Sequence, residues 1–158
     1  MIRFYRPELR DMWFRQKMLS DPATMQYNHA WGGTVPFPEE EWEEWYSHWL
    51  GDDGKNRYYR YLADGNNDFI GEAAYHFDQS RGICVADIIV FAPYRHKGYG
   101  GQALELLCGK AAENGISVMY DDIAIDNPAI SLFLKHGFHE EYRTNMIIML
   151  KRTLTPVK

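Results

Sequence analysis

Cysteine is scarce: the 158-residue chain has 2, Cys84 and Cys108. Two distant thiols, each in an apolar segment, make neither a disulfide framework nor a cysteine-rich zinc site, so both are expected to be buried in a reducing compartment. No apolar run approaches the ~18 residues of a membrane span, and Met1-Ile2-Arg3-Phe4-Tyr5-Arg6 lacks a signal-peptide core. A cytoplasmic protein with no membrane partner is the expectation. Lys/Arg runs are missing too, and the formal net charge is −5. A nucleic-acid partner that relies on broad phosphate neutralisation is therefore not expected. Neither internal repeats nor low-complexity segments occur, and the length suits one domain over residues 1–158.

What is present is organised around residues 85–115. Val85-Ala86-Asp87-Ile88-Ile89-Val90 is a strand pattern, closed by Phe91-Ala92-Pro93-Tyr94, whose proline cannot continue a ladder. Beyond Gly101, Leu104, Leu107, Cys108 and Ala111 recur at helical spacing until Asn114-Gly115. Between strand and helix lies Arg95-His96-Lys97-Gly98-Tyr99-Gly100-Gly101. Its glycines let the backbone approach a ligand without Cβ interference, while the unpaired N–H groups and dipole of the first helical turn point the same way. The stretch reads as a cradle for a di- or polyphosphate, or in its plainer form as a glycine-rich turn. A Walker-type loop is excluded, because Gln102-Ala103 follows Gly101 where Lys-Ser or Lys-Thr is needed. A dinucleotide fold is excluded because the strand follows an antiparallel hairpin.

Along the rest of the chain, residues 2–6 suggest a first strand, and a helix after Pro7 would bury Leu9, Met12, Trp13 and Leu19. Ser20-Asp21-Pro22 stops it and starts a short second helix through Tyr27. Residues 28–36 form a loop with Trp31 in it, either a ligand cover or a core plug. Residues 37–50 read as a helix with Trp42, Trp45, Tyr46 and Trp49 on one face among Glu39, Glu40, Glu41, Glu43 and Glu44. Those glutamates either complement the helix dipole or border a pocket for a cationic amine. After a break at residues 51–54, strands at 57–62 and 69–77 lead by tight turns into the strand at 85–90. A strand at 117–125, a short helix at 128–136 and a hairpin of 138–142 with 145–151 follow. The order implies a mixed α/β sheet flanked by helices.

Arg95-x-x-Gly98-x-Gly100 after an apolar strand resembles the acetyl-CoA pyrophosphate signature of the GNAT superfamily of N-acetyltransferases. A second block, Asp126-Asn127-Pro128-Ala129-Ile130-Ser131-Leu132-Phe133-Leu134-Lys135-His136-Gly137-Phe138, is similar to that family's asparagine, short helix and terminal Gly-Phe. The resemblance implies a GNAT-like acyl-CoA N-acyltransferase fold, mostly antiparallel, with two splayed parallel central strands and helices on both faces. It implies acetyl-CoA as acyl donor and a primary amine, small or peptide-borne, as acceptor. The donor's diphosphate would rest on Arg95, His96, Lys97, Gly98, Tyr99, Gly100 and Gly101. Its pantetheine would lie along Ile88, Ile89 and Val90, between residues 88–90 and 123–125, with Asn127 and Phe133 beside it. Asn127 also fits a plain Asp-Asn-Pro turn.

One departure stands out. Phe133 occupies the position where the family frequently has a tyrosine that protonates the departing thiolate, so Tyr120, Ser131 or water would have to substitute. This opens a competing class, a non-catalytic acyl-CoA sensor or interaction module. A third reading, modification of protein N-termini, needs a wide acceptor groove. For the base that deprotonates the amine the candidates are Glu72, His76 and Asp87. Residues 72 and 76 share a face, and Asp87 joins them only if the hairpin pairs residues whose numbers sum to an odd value. Alternatively Glu72 and Asp87 pair with Arg57 or Arg60, and His76 is a core histidine. Asp121 and Asp122 form another acidic pair, but neither HExxH nor a cysteine cluster accompanies them, so no metal is expected. His136 and His139 read as surface or loop residues. The surplus of aromatics is compatible with a homodimer interface, a substrate lid or additional core.

Overall fold

The computed structural model describes residues 1–51 and 56–155, the side chains of residues 30 and 31 excepted. Residues 52–54 of the break expected at 51–54, and the side chain of Trp31, lie outside the described residues. The chain opens with β1 (Arg3–Tyr5), a 3-10 turn (Leu9–Asp11), α1 (Met12–Ser20) and the short α2 (Pro22–Met25). Asp21 caps α2 by accepting from the Thr24 amide. Two 3-10 segments, Gln26–Trp31 and Glu39–Glu41, precede α3 (Trp42–Leu50). A meander of β2 (Arg57–Ala63), β3 (Phe69–Asp78) and β4 (Ile83–Val90) follows. The chain continues through α4 (Tyr99–Glu113), β5 (Val118–Ala124), α5 (Ala129–Lys135), β6 (His139–Arg143) and β7 (Ile147–Thr153).

The strands form one sheet in the order β1-β2-β3-β4-β5-β7-β6. Among the described residues only β4 and β5 are parallel neighbours. Helices cover both faces, as expected. On one face Leu104, Leu107, Cys108 and Ala111 of α4 join Leu62, Ile70, Ala73, Tyr75 and Ala86 of the sheet. On the other, Met12, Phe14 and Met18 of α1 and Leu50 of α3 join Tyr59, Tyr61, Ala74 and Ile89. Both cysteines are free and buried. Among the described residues no helix is long and apolar enough to cross a membrane.

One helical face differs from expectation. Leu9 and Trp13 stay 40% and 48% exposed, and Phe14 and Met18 take the core positions with Met12 and Leu19. The 3-10 turn at Leu9–Asp11 puts Leu9 out of phase with the α-helix that begins at Met12. In α3, Trp42, Trp45, Tyr46 and Trp49 lie half-buried against the second core, which turns Glu39, Glu40, Glu41, Glu43 and Glu44 to solvent.

The feature that creates a site is the β4/β5 pair. Its ladder holds only Cys84 opposite Met119 and Val85 opposite Tyr120. Beyond that rung β4 stays zipped to β3 as far as Val90, and β5 to β7 as far as Ala124. Each strand is held by its outer neighbour, and the inner edges part into a fork. Main-chain groups in a strand point alternately to either side, so the outer ladders leave half of them facing the gap.

Candidate active site

The glycine-rich loop closes the top of the fork. Arg95 holds it there: its guanidinium donates to the carbonyls of Val90 (3.0 Å), Ala23 (3.1 Å) and Thr24 (2.7 Å). Thr24 Oγ1 also accepts from the Ala92 amide at 3.0 Å, so α2 and the end of β4 brace the loop from below. The Arg95 side chain is thereby committed to protein carbonyls. Gly98 caps α4 at φ +80°, with nothing within 4 Å of where a Cβ would stand. The other two glycines have a different role from the expected one. A Cβ on Gly100 would lie 3.0 Å from Leu132 Cδ2, and one on Gly101 would lie 2.7 Å from His136 Nε2, so both let α4 seat against α5. His136 is part-exposed at the end of α5, as expected of a surface or loop residue, and its Nδ1 lies 3.0 Å from Glu105, to which Arg152 also donates at 2.9 Å. His139 is exposed on β6.

Among the described residues, no acceptor is bonded to the amides of residues 96 to 101. Free amides around a left-handed glycine at the start of a 15-residue helix form an anion cradle. Below it, the Phe91 amide bonds the Ile70 carbonyl at 2.8 Å. By alternation the main-chain groups of Ile88 and Val90 turn away from β3 into the fork, while those of Ile89 face β3. The Ile89 side chain is buried in the core under α1. Across the gap Asn127 Oδ1 accepts from the Ala129 amide at 2.9 Å, which is the turn role anticipated for it. Its Nδ2 remains for a ligand, and the residue lines the cleft. The free amides, the main-chain edge and the side-chain amide together fit a diphosphate followed by a pantetheine arm.

Phe133 also lines the cleft, buried and edge-on to Phe138 at 5.0 Å, with no polar atom to offer. Neither suggested substitute reaches the cleft. Ser131 Oγ bonds the Pro128 carbonyl at 3.0 Å, and Tyr120 is absent from the lining. Tyr27 does line it, from the 3-10 segment after α2. Burial, and after it the charges of Asp87 and Glu72, push its phenol upward, so its hydroxyl keeps its proton. No sequence signal marked Tyr27; it lies in a segment without a motif.

The hairpin register meets the odd-sum condition: Ala74 lies opposite Asp87 and Glu72 opposite Ile89. Glu72, His76 and Asp87 therefore share one face, and all line the cleft with Asp121 and Asp122. Position along the fork separates them. His76 pairs with Val85, the last rung of the closed part, whereas Glu72 lies beside the open part. Burial holds the half-buried His76 imidazole below its ordinary value, and its ring sits 5.9 Å from Trp49.

Glu72 is 3% exposed, and burial pushes it up to about 7, against the pull of Arg15. The expected partners, Arg57 and Arg60, are not the ones it meets. Arg60 belongs to the opposite face, over the Tyr58 ring at 4.3 Å, and Arg57 stands 5.9 Å over Trp49. The facing cation is Arg15 of α1, whose Nε lies 3.9 Å from Glu72 Oε1. Arg15 is itself stacked on Trp45 at 4.0 Å and Phe37 at 4.5 Å. Asp87 is hemmed in by protein at the cleft floor yet open to its solvent, and desolvation raises its carboxyl as well. Desolvation, then Asp87 and Asp122, raises Asp121. The acids of the site thus come from the sheet. The acidic helix α3 contributes only Trp49 to the cleft.

Free amides above a strand fork with carboxyls lining the cleft are compatible with a group-transfer site. The chain matches the Acetyltransferase (GNAT) family over residues 16–138, and it belongs to that family. It is an acetyltransferase. A spermidine N-acetyltransferase from Vibrio cholerae, in complex with CoA and spermine, is similar with a TM-score of 0.82 at 17% identity, over 97% of this chain and 95% of that one. A phosphinothricin acetyltransferase from Sinorhizobium meliloti in complex with AcCoA gives 0.77 at 18%, over 100% of this chain and 93% of that one. An N-acetyltransferase from Staphylococcus aureus Mu50 gives 0.78 at 17%, over 98% and 99%. At these identities the likeness shows the fold. No protein of curated function matches the chain in sequence.

Proposed function

We propose that the chain, acting as a single domain, transfers the acetyl group of acetyl-CoA to a primary amine by direct attack on the thioester. The observation that carries this is Glu72 beside the open fork, with a proton affinity near 7 and Asp87 next to it on the same face. The similar structures that are N-acetyltransferases are compatible with an amine acceptor.

Acetyl-CoA supplies an acetyl group already activated as a thioester. The amides of residues 96 to 101 hold the diphosphate, and the inward main-chain groups of Ile88 and the amide of Val90, with Asn127 Nδ2, hold the arm. A β4 amide facing the gap stabilises negative charge on the carbonyl oxygen without reorganising. Asp87 receives the acceptor ammonium. A lysine-like amine is neutral only about one part in 2,500 at pH 7, a deficit of about 4 to 5 kcal/mol. Glu72 lowers that deficit by taking the proton, directly or through one water. Nitrogen then bonds the carbonyl carbon, the C–S bond breaks, and the sulfur takes a proton from the Tyr27 hydroxyl. The second amine proton leaves to solvent and Tyr27 is reprotonated from it.

Phe133 favours a second reading, an acyl-CoA sensor without turnover. Free-thiol release separates the two. The transferase liberates CoA from acetyl-CoA only when an amine is present, whereas a sensor is protected by acetyl-CoA yet releases no thiol with any amine.

A further inference from the structure

The segment that carries Tyr27 crosses the fork and is tied down on both sides of it. On the β4 side Arg95 donates to the carbonyls of Ala23 and Thr24 in α2, at 3.1 and 2.7 Å. Thr24 adds a second tie there: it is fully buried, donates to the Asp21 carboxylate and accepts from the Ala92 amide at 3.0 Å. Just past the end of β5, His29 Nε2 lies 3.0 Å from Asp126 Oδ2. Between these ties Gln26, Tyr27, Asn28 and His29 line the cleft. Among the described residues no side-chain hydrogen bond holds Tyr27 itself, so its phenol stands where the backbone of residues 22–29 puts it.

The two ties are unequal. The side chains of His29 and Asp126 are 57% and 63% exposed, so water screens their pairing and it contributes little. Arg95 is half-buried, and its third bond, to the Val90 carbonyl at 3.0 Å, joins α2 to the last residue of β4. A planar guanidinium sets three carbonyls in one geometry, which an ammonium on a flexible stem does not. The same charge bears on the phenol. Burial, then Asp87 and Glu72, raise Tyr27, and Arg95 is the cation that acts against them. Burial lowers Arg95 in turn, and Tyr27 is the first group to oppose that.

Resting on the reading of Tyr27 as proton donor to the departing sulfur, we infer that Arg95 is a positioning residue for that step: it fixes residues 22–29 across the fork and so holds the Tyr27 hydroxyl at the thioester. When the phenol O–H bond breaks and the S–H bond forms, the electron pair stays on the phenol oxygen, and the guanidinium stabilises that charge. The loop amides hold the diphosphate, whereas the arginine of the same motif serves the wall that carries Tyr27.

The test is a double-mutant cycle of Arg95→Gln with Tyr27→Phe, read as kcat for thiol release with n-butylamine and 1,4-diaminobutane as acceptors. Saturating acetyl-CoA takes any loosening of the cradle out of kcat, and that loosening is read separately in KM. Arg95→Gln is expected to lower kcat about tenfold or more in the unaltered chain, but less than about twofold where Tyr27→Phe is already in place. Given a loss from Tyr27→Phe alone, an equal fold loss from Arg95→Gln in both backgrounds, or no loss, overturns the inference. If Tyr27→Phe alone leaves kcat unchanged, or neither amine releases thiol, the reading of Tyr27 is what fails, and amide hydrogen exchange of the acetyl-CoA-bound protein decides. Exchange about tenfold or more faster at residues 22–29 in Arg95→Gln, with β2 and β3 unchanged, upholds the positioning, and unchanged exchange overturns it. If Arg95→Gln does not fold, Arg95→Lys, which keeps the charge but not the planar array, takes its place with the same outcomes.

Discussion

Glu72 Oε1 faces Arg15 Nε across 3.9 Å, and both atoms are buried without a hydrogen-bond partner. The Tyr59 hydroxyl, also buried, lacks one too. The pair is close enough for Arg15 to pull on Glu72's proton, yet too far apart to satisfy it. Burial wins, and the carboxyl is left near neutrality.

On the proposed mechanism Glu72 is the general base and sets the pH profile. Glu72→Gln is expected to lower kcat/KM for the acceptor by about 10² to 10⁴ and to abolish the ionisation near pH 7. Arg15→Met removes the charge that lowers Glu72, so in that variant the ionisation moves to higher pH. Rate profiles from pH 5.5 to 9 on the three proteins check this; an unmoved profile in Arg15→Met contradicts the coupling.

The same carboxyl makes stability depend on pH in an unusual direction. Glu72 is raised in the fold from the ordinary 4.5 to about 7, so between those values the folded state holds more protons than the unfolded one. Its contribution is full below about pH 4.5 and is lost as pH climbs through 7, a change of about 3 kcal/mol. Denaturant melts of the unliganded protein at pH 5 and 8 should show a smaller loss in Glu72→Gln. The raised carboxyls of Asp87 and Asp121 keep the residual trend in the same direction.

Packing between α4 and α5 turns on Gly101. Gly101→Ala is expected to destabilise by about 1–3 kcal/mol, because the new Cβ meets His136, whose ring Glu105 holds in place. In a Gly101→Ala/His136→Ala double mutant the cost should fall well below the sum of the single changes, readable from thermal melts.

Tyr27 is the hydroxyl left to the departing sulfur once Phe133 cannot serve. Tyr27→Phe should reduce kcat by about tenfold or more while leaving KM for acetyl-CoA within about twofold. An unchanged kcat assigns the proton to water.

Much of this was legible in residue order. A continuous apolar run marked β4, turn residues around a Tyr-rich stretch and its neighbour marked β2 and β3, and Arg95, Gly98 and Gly100 after an apolar strand marked the cradle, because all these patterns are local. The fork itself was implied only by family resemblance, since parting of β4 from β5 depends on ladders to β3 and β7. The turn from Asp78 to Gly82 left the register open; Asp78 Oδ1, accepting from the Ser80 and Arg81 amides, shapes that turn and brings Ala74 opposite Asp87. Arg15 was hidden for another reason. A lone arginine in a helix with Met12, Phe14, Met18 and Leu19 looks like a solvated position, and only the docking of α1 over β3 buries it against Glu72.

Melting in saturating acetyl-CoA, with and without Gly98→Glu, tests the cradle most directly. At about 100 times its dissociation constant a ligand adds about 2.7 kcal/mol of stability. A clear rise in Tm for the unaltered chain, absent in Gly98→Glu, is the predicted result; no rise in the unaltered chain would mean that the amides of residues 96 to 101 hold no diphosphate.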